Sequence, residues 1–246
     1  MSTVPTQGQA TQVPTFVTAD ELIDYDSFIT EDDTPVDSWY CERQLRLLTD
    51  VLHASWRGPG ANRPRCVATD VGLFYSTAEP AVAPDVMISL DVAPPQDWAK
   101  KKNRSYFMWL MGKAPEMAVE VVSNLEGGEL TTKMELYARI GVMYYIVWDP
   151  MKFLSDTPLH CFVLNRKKYV PCESWFPELE LGVIVWTGEY DGICGEWMRW
   201  CDRQGQLLPT GVERAETAEG RADSLEERAV KLAEKLRSLG VDHDQA

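Results

Sequence analysis

No apolar stretch in this sequence approaches the roughly 20 residues that a membrane-spanning helix needs. Residues 1–18 also lack the basic start and apolar run of a secretory leader, so a cytoplasmic protein is expected. The six cysteines, Cys41, Cys66, Cys161, Cys172, Cys194 and Cys201, form no C-x-x-C pair. The three histidines, His53, His160 and His243, have no metal-ligand spacing. Together these absences exclude a zinc ribbon and a disulfide framework, and the thiols read as reduced and mostly buried. No glycine-rich phosphate loop is present, since Gly127-Gly128 reads as a turn, and no serine sits in a nucleophile elbow. Positive charge is scarce as well: 24 Lys and Arg stand against 38 Asp and Glu, a net charge of -14. Sequence-independent coating of phosphates requires the opposite balance. Two short basic groups remain, Lys100, Lys101, Lys102 and Arg104, and then Arg166, Lys167 and Lys168. Runs of this length read first as solvated loop charge.

What is present suits one main domain with appendages, for 246 residues that are 45% hydrophobic can bury a full core. Residues 1–20, rich in Thr, Gln and Pro and without a hydrophobic period, predict a disordered lead-in. The main domain is expected over 21–208, a helix with coiled-coil character over 209–240, and a flexible tail over 241–246. In that helix Ala215, Ala218, Ala222, Leu225, Ala229, Leu232, Leu236 and Leu239 recur at alternating three- and four-residue steps, a heptad seam. Thr210 and Glu213 have the spacing of a capping box at its start. The seam predicts a homodimer through residues 211–240, or else a helix folded back on its own domain.

Within the main domain, Tyr40, Leu45, Leu48, Val51 and Leu52 line one face of a helix over 37–56, which Gly58, Pro59 and Gly60 stop. Strands are predicted over 66–75, 85–90, 117–122 and 144–148, each short and bounded by turn residues. A helix over 131–140, closed by Gly141, joins the last two and implies a parallel crossover. Residues 159–164 and 168–170 read as a hairpin with a basic turn. The Trp-rich stretch 181–200 is expected to close over the core.

Two acids stand in apolar strands, where a carboxylate is costly unless paired or bound to a cation. They are Asp85, in Pro84-Asp85-Val86-Met87-Ile88, and Glu120, in Ala118-Val119-Glu120-Val121-Val122. On adjacent strands they could share a hard cation such as magnesium, which would polarise a phosphate. A positive group is then needed against the charge of the transition state, and Lys133, at the start of the following helix, is the candidate. On position alone Lys133 reads equally as a plain surface lysine, and the two acids as a salt bridge or turn carboxylates.

The words Pro84-Asp85-Val86, Ala118-Val119-Glu120-Val121-Val122-Ser123, Lys133 with Tyr137-Ala138-Arg139-Ile140-Gly141-Val142, and Tyr144-Tyr145-Ile146-Val147-Trp148-Asp149-Pro150 follow in that order. In this the chain resembles the Uma-type restriction-endonuclease family of the PD-(D/E)xK nuclease superfamily. The resemblance implies an α/β, restriction-endonuclease-like core of αβββαβ order with a curved mixed sheet. It implies a metal-dependent endonuclease acting on DNA, with Mg2+ or Mn2+ as cofactor and Asp85 and Glu120 as ligands. Val122 stands where the superfamily usually has its lysine, and Lys133 matches the lysine that substitutes from the next helix. Many relatives add an acid from the first helix; Trp39 occupies the aligned position here, and Glu42, one turn on, is the weak candidate. The other expectation is a catalytically inactive nuclease-fold protein that binds or scaffolds through its C-terminal helix.

Overall fold

The computed structural model describes residues 38–238, apart from 61–62, 98, 101–102 and 125–126. The expected lead-in and tail, Lys101 and Lys102 of the first basic group, and Leu239 of the heptad seam lie outside the described residues. The chain opens with α1 (Trp39–Ala54), whose first turn is closed by Ser38 Oγ accepting the Cys41 amide at 3.1 Å. Then follow β1 (Arg65–Thr69), β2 (Leu73–Phe74), β3 (Val86–Leu90), β4 (Tyr106–Phe107), the single turn α2 (Met108–Met111) and β5 (Met117–Val121). Next come α3 (Thr132–Ile140), β6 (Tyr144–Trp148), β7 (Leu159–Asn165), β8 (Lys168–Pro171), β9 (Trp175–Phe176), β10 (Leu181–Tyr190), β11 (Ile193–Cys201) and α4 (Gly211–Ser238).

One mixed sheet runs β1-β3-β5-β6-β7-β8, and within it only β5 and β6 are parallel. The succession α1, β1, β3, β5, α3, β6 is the αβββαβ core expected from the sequence. The strand expected over 66–75 is in fact two. Asp70 takes a left-handed backbone, φ 53°, which ends the pleat, and β2 leaves to pair in parallel with β4. Gly141, at φ 94°, closes α3 as anticipated. Arg166 and Lys167 form the two-residue turn between β7 and β8, both at positive φ.

Every residue of β3, β5 and β6 is buried, because the sheet is covered on both faces. Val86, Ile88, Val119, Val121, Ile146 and Trp148 share one core with α1 and the β10–β11 hairpin. Met87, Ala118, Val122, Tyr145 and Val147 face the other way and share a second core with Tyr137 and Ile140 of α3. The hairpin does close over the first core. Buried Gln44 of α1 donates to the Met198 carbonyl at 2.9 Å and accepts its amide at 3.0 Å, so helix and strand are joined by a two-way bond.

The capping box forms as anticipated: Glu213 accepts the Thr210 amide at 2.7 Å and donates its own amide to Thr210 Oγ at 3.1 Å. Glu213 also takes both Nη atoms of Arg199, which is 2% exposed, at 2.8 and 2.7 Å. Asp50 accepts the Gly211 amide at 3.0 Å. These bonds, with Arg214 on the Ala54 carbonyl, fix the first turn of α4 to α1 and β11. Past that turn the helix does not fold back on its domain, and none of its residues is buried.

Candidate active site

Strand alternation decides where the acids point. Val119 and Val121 face α1, so Glu120 faces α3, and it is buried to 1% exposure. The β3–β5 ladder pairs Val86 with Val119, and continuing that register by one residue sets Asp85 opposite Glu120. Asp85 Oδ2 accepts the Val121 amide at 2.5 Å, which ties the start of β3 to the end of β5.

The helix α3 brings the rest. Gly128, at φ 66°, turns the chain, and its carbonyl accepts the amides of Thr131 and Lys133, both at 3.0 Å. Lys133 Nζ donates to Glu120 Oε2 at 2.9 Å and to Glu129 Oε1 at 3.2 Å. One turn on, the Tyr137 hydroxyl donates to Glu120 Oε1 at 2.6 Å. Glu129 is held from behind, since the Tyr145 hydroxyl donates to its backbone carbonyl at 2.8 Å. A Cβ on Gly127 would meet the Glu129 carboxylate and push it aside, so the bare glycine leaves that side chain its place beside Lys133. Glu129 is 5% exposed and its Oε2 has no hydrogen-bond partner.

Two carboxylates thus pair with one ammonium, and the charge of Asp85 is felt by both Glu120 and Lys133. Burial, and then the charge of Glu120, push Asp85 well above the usual carboxylate range, against the pull of the Val121 amide. Burial also raises Glu120; Lys133 and Tyr137 oppose this without cancelling it. Burial alone would lower Lys133, but the charges of Glu120, Glu129 and Asp85 outweigh it and push the ammonium up. Lys133 therefore keeps its proton at neutral pH. Burial and the Glu120 charge likewise raise Tyr137, which stays a neutral donor.

Asp85, Glu120 and Lys133 are brought together. Glu42 is not: α1 covers the opposite face of the sheet, and the Glu42 carboxylate accepts from Arg46 at 3.0 and 2.7 Å on the side that meets Asp191. Asp149, after β6, is structural, capping the amides of Phe153 and Leu154. Sequence reading passed over Glu129 and Tyr137, although 129, 133 and 137 follow at four-residue steps. That spacing sets Lys133 and Tyr137 on one face of α3.

The donor set fits a divalent cation. Asp85 and Glu120 carry hard oxygen atoms that could hold such an ion, and the buried, unpartnered Glu129 oxygen marks an excess of negative charge over Lys133. Among the described residues no group of three or more His, Cys, Asp or Glu could hold a metal. Two carboxylates completed by waters is how magnesium is commonly held.

Comparison with known proteins agrees with this architecture. The Uma2 family model, described as "putative restriction endonuclease", matches residues 33–184, more than half of the chain. The chain belongs to that family, and its fold is restriction-endonuclease-like. No curated protein matches it. Among the described residues no helix is long and apolar enough to cross a membrane.

Proposed function

We propose that the protein is a metal-dependent endonuclease that hydrolyses DNA phosphodiester bonds at the group formed by Asp85, Glu120 and Lys133. The observation that carries this reading is Lys133, a charged ammonium held between Glu120 and Glu129 at the edge where Asp85 enters the sheet. Asp85 and Glu120 would hold Mg2+ or Mn2+, which supplies positive charge against the phosphate oxygens.

The residues of the chain do the rest. Of the three donors on Lys133 Nζ, two are taken by Glu120 and Glu129. The side chain is 32% exposed, and its third N–H is the one that a phosphate oxygen or the attacking water would take. Tyr137, through its bond to Oε1, holds Glu120 in one orientation. In the reaction the water oxygen bonds to phosphorus, the ester P–O bond breaks, and the leaving oxygen ends as a hydroxyl.

A pair of copies joined through α4, one site for each strand, suits scission of a duplex. The six cysteines are free thiols, which suits action on DNA in the cytoplasm.

Incubation with supercoiled, linear and single-stranded DNA in magnesium or manganese tests the reading. Nicking or cutting that a chelator stops is the expected result. No cleavage of any substrate under either metal would leave a nuclease fold used for binding or scaffolding.

A further inference from the structure

We infer that α4 pairs with α4 of a second copy as a parallel, in-register, two-stranded coiled coil. The inference does not depend on the reaction proposed above. Past its first turn the helix leaves an apolar stripe in solvent, with Leu225 63%, Leu232 59% and Leu236 36% exposed. Lettered as heptads, the stripe has Ala222, Ala229 and Leu236 at a, and Ala218, Leu225 and Leu232 at d. Gly220 falls at f, the position farthest from the seam.

The charges beside the stripe identify the occupant and its direction. The e positions carry Glu219, Glu226 and the uncharged Ala233, and the g positions carry Arg221, Arg228 and Lys235. One flank is acidic and the other is basic. In a parallel in-register pair, a g residue meets the e residue five places on in the other chain. Arg221 therefore faces Glu226 of the second copy, and the two-fold axis repeats the contact on the other side. In an antiparallel pair g meets g, and the basic flanks of the two copies would repel. A stripe whose two flanks complement each other is matched by a copy of itself. The root of α4 is fixed through Arg199–Glu213 and Asp50–Gly211, so a parallel pair carries both main domains at the same end of the coil.

The test is sedimentation equilibrium of the full chain at micromolar concentration, with far-UV circular dichroism as the control on folding. The wild type is expected at twice the chain mass. The variants Arg221→Glu/Arg228→Glu and Glu219→Lys/Glu226→Lys should each weaken the dimer at least tenfold, and mixing the two should restore it. A wild type that stays monomeric overturns the inference. So does a dimer that neither charge reversal weakens, or a mixture that regains no dimer.

Discussion

Tyr137 donates its hydroxyl to Glu120 Oε1 at 2.6 Å, and this bond with Lys133 on Oε2 gives each oxygen of a fully buried carboxylate one donor. The Tyr137→Phe variant keeps the packing against Tyr145 and removes only the donor. Leaving a buried acceptor short of its partner costs about 1–3 kcal/mol. Urea unfolding should show a loss in that range, and an unchanged midpoint would mean that the hydroxyl does not hold Glu120.

Asp85 is held at a cost to the fold. With its pKa raised by burial and by Glu120, the folded chain binds this proton more tightly than the unfolded chain does. The associated stability is fully present below the ordinary carboxylate range and is lost as pH rises toward the elevated folded value. Asp85→Asn removes that loss and can still accept the Val121 amide. Without divalent cations at neutral pH it should melt higher than wild type by a few degrees, about 2–4 °C for each kcal/mol in a chain of this size. The gain should vanish in mildly acidic buffer. A variant that melts lower at neutral pH would contradict the repulsion between Asp85 and Glu120.

Lys133 faces two buried acids, so its loss should be felt by both. Lys133→Met leaves Glu120 and Glu129 without their counter-charge, and breaking a buried pair costs roughly 3–5 kcal/mol, less here because the lysine is partly exposed. Adding Glu129→Gln should recover part of that loss, since one unpaired charge goes. A double-mutant cycle measures the coupling directly. Strict additivity would mean that the 3.2 Å contact between Lys133 and Glu129 contributes nothing.

Much of this site is legible in the sequence because strands have a period of two. Alternation alone sets Glu120 against Val119 and Val121, and the apolar context of Asp85 and Glu120 marks both acids as costly. The crossover through α3, the capping box of α4 and the hairpin after β7 are likewise set by local residue chemistry. The break at Asp70 was not legible, since a non-glycine residue at positive φ leaves little trace in composition. Glu129 was hidden for another reason: it lies in a turn, where an acid is ordinary, and only the tertiary fold buries it. Glu42 misled because helical periodicity gives a residue's face but not which side of the sheet the helix covers.

At the other end of the main domain, Glu213 serves two partners at once. It completes the capping box with Thr210 and pairs with the buried Arg199 guanidinium. Glu213→Ala leaves Thr210 Oγ on the residue-213 amide but strips the Thr210 amide and Arg199 of their acceptor, and about 1–3 kcal/mol should be lost. Arg199→Met in the same background should return part of it. Failure of the second change to help would show that Arg199 finds another acceptor.

The proposed cation site at Asp85 and Glu120 is tested by calorimetric titration of magnesium or manganese into the wild type, Asp85→Asn and Glu120→Gln. Circular dichroism should first show that all three are folded. Saturable binding by the wild type and its loss in both variants is the expected result. Equal affinity in all three, or no binding by the wild type, would contradict it.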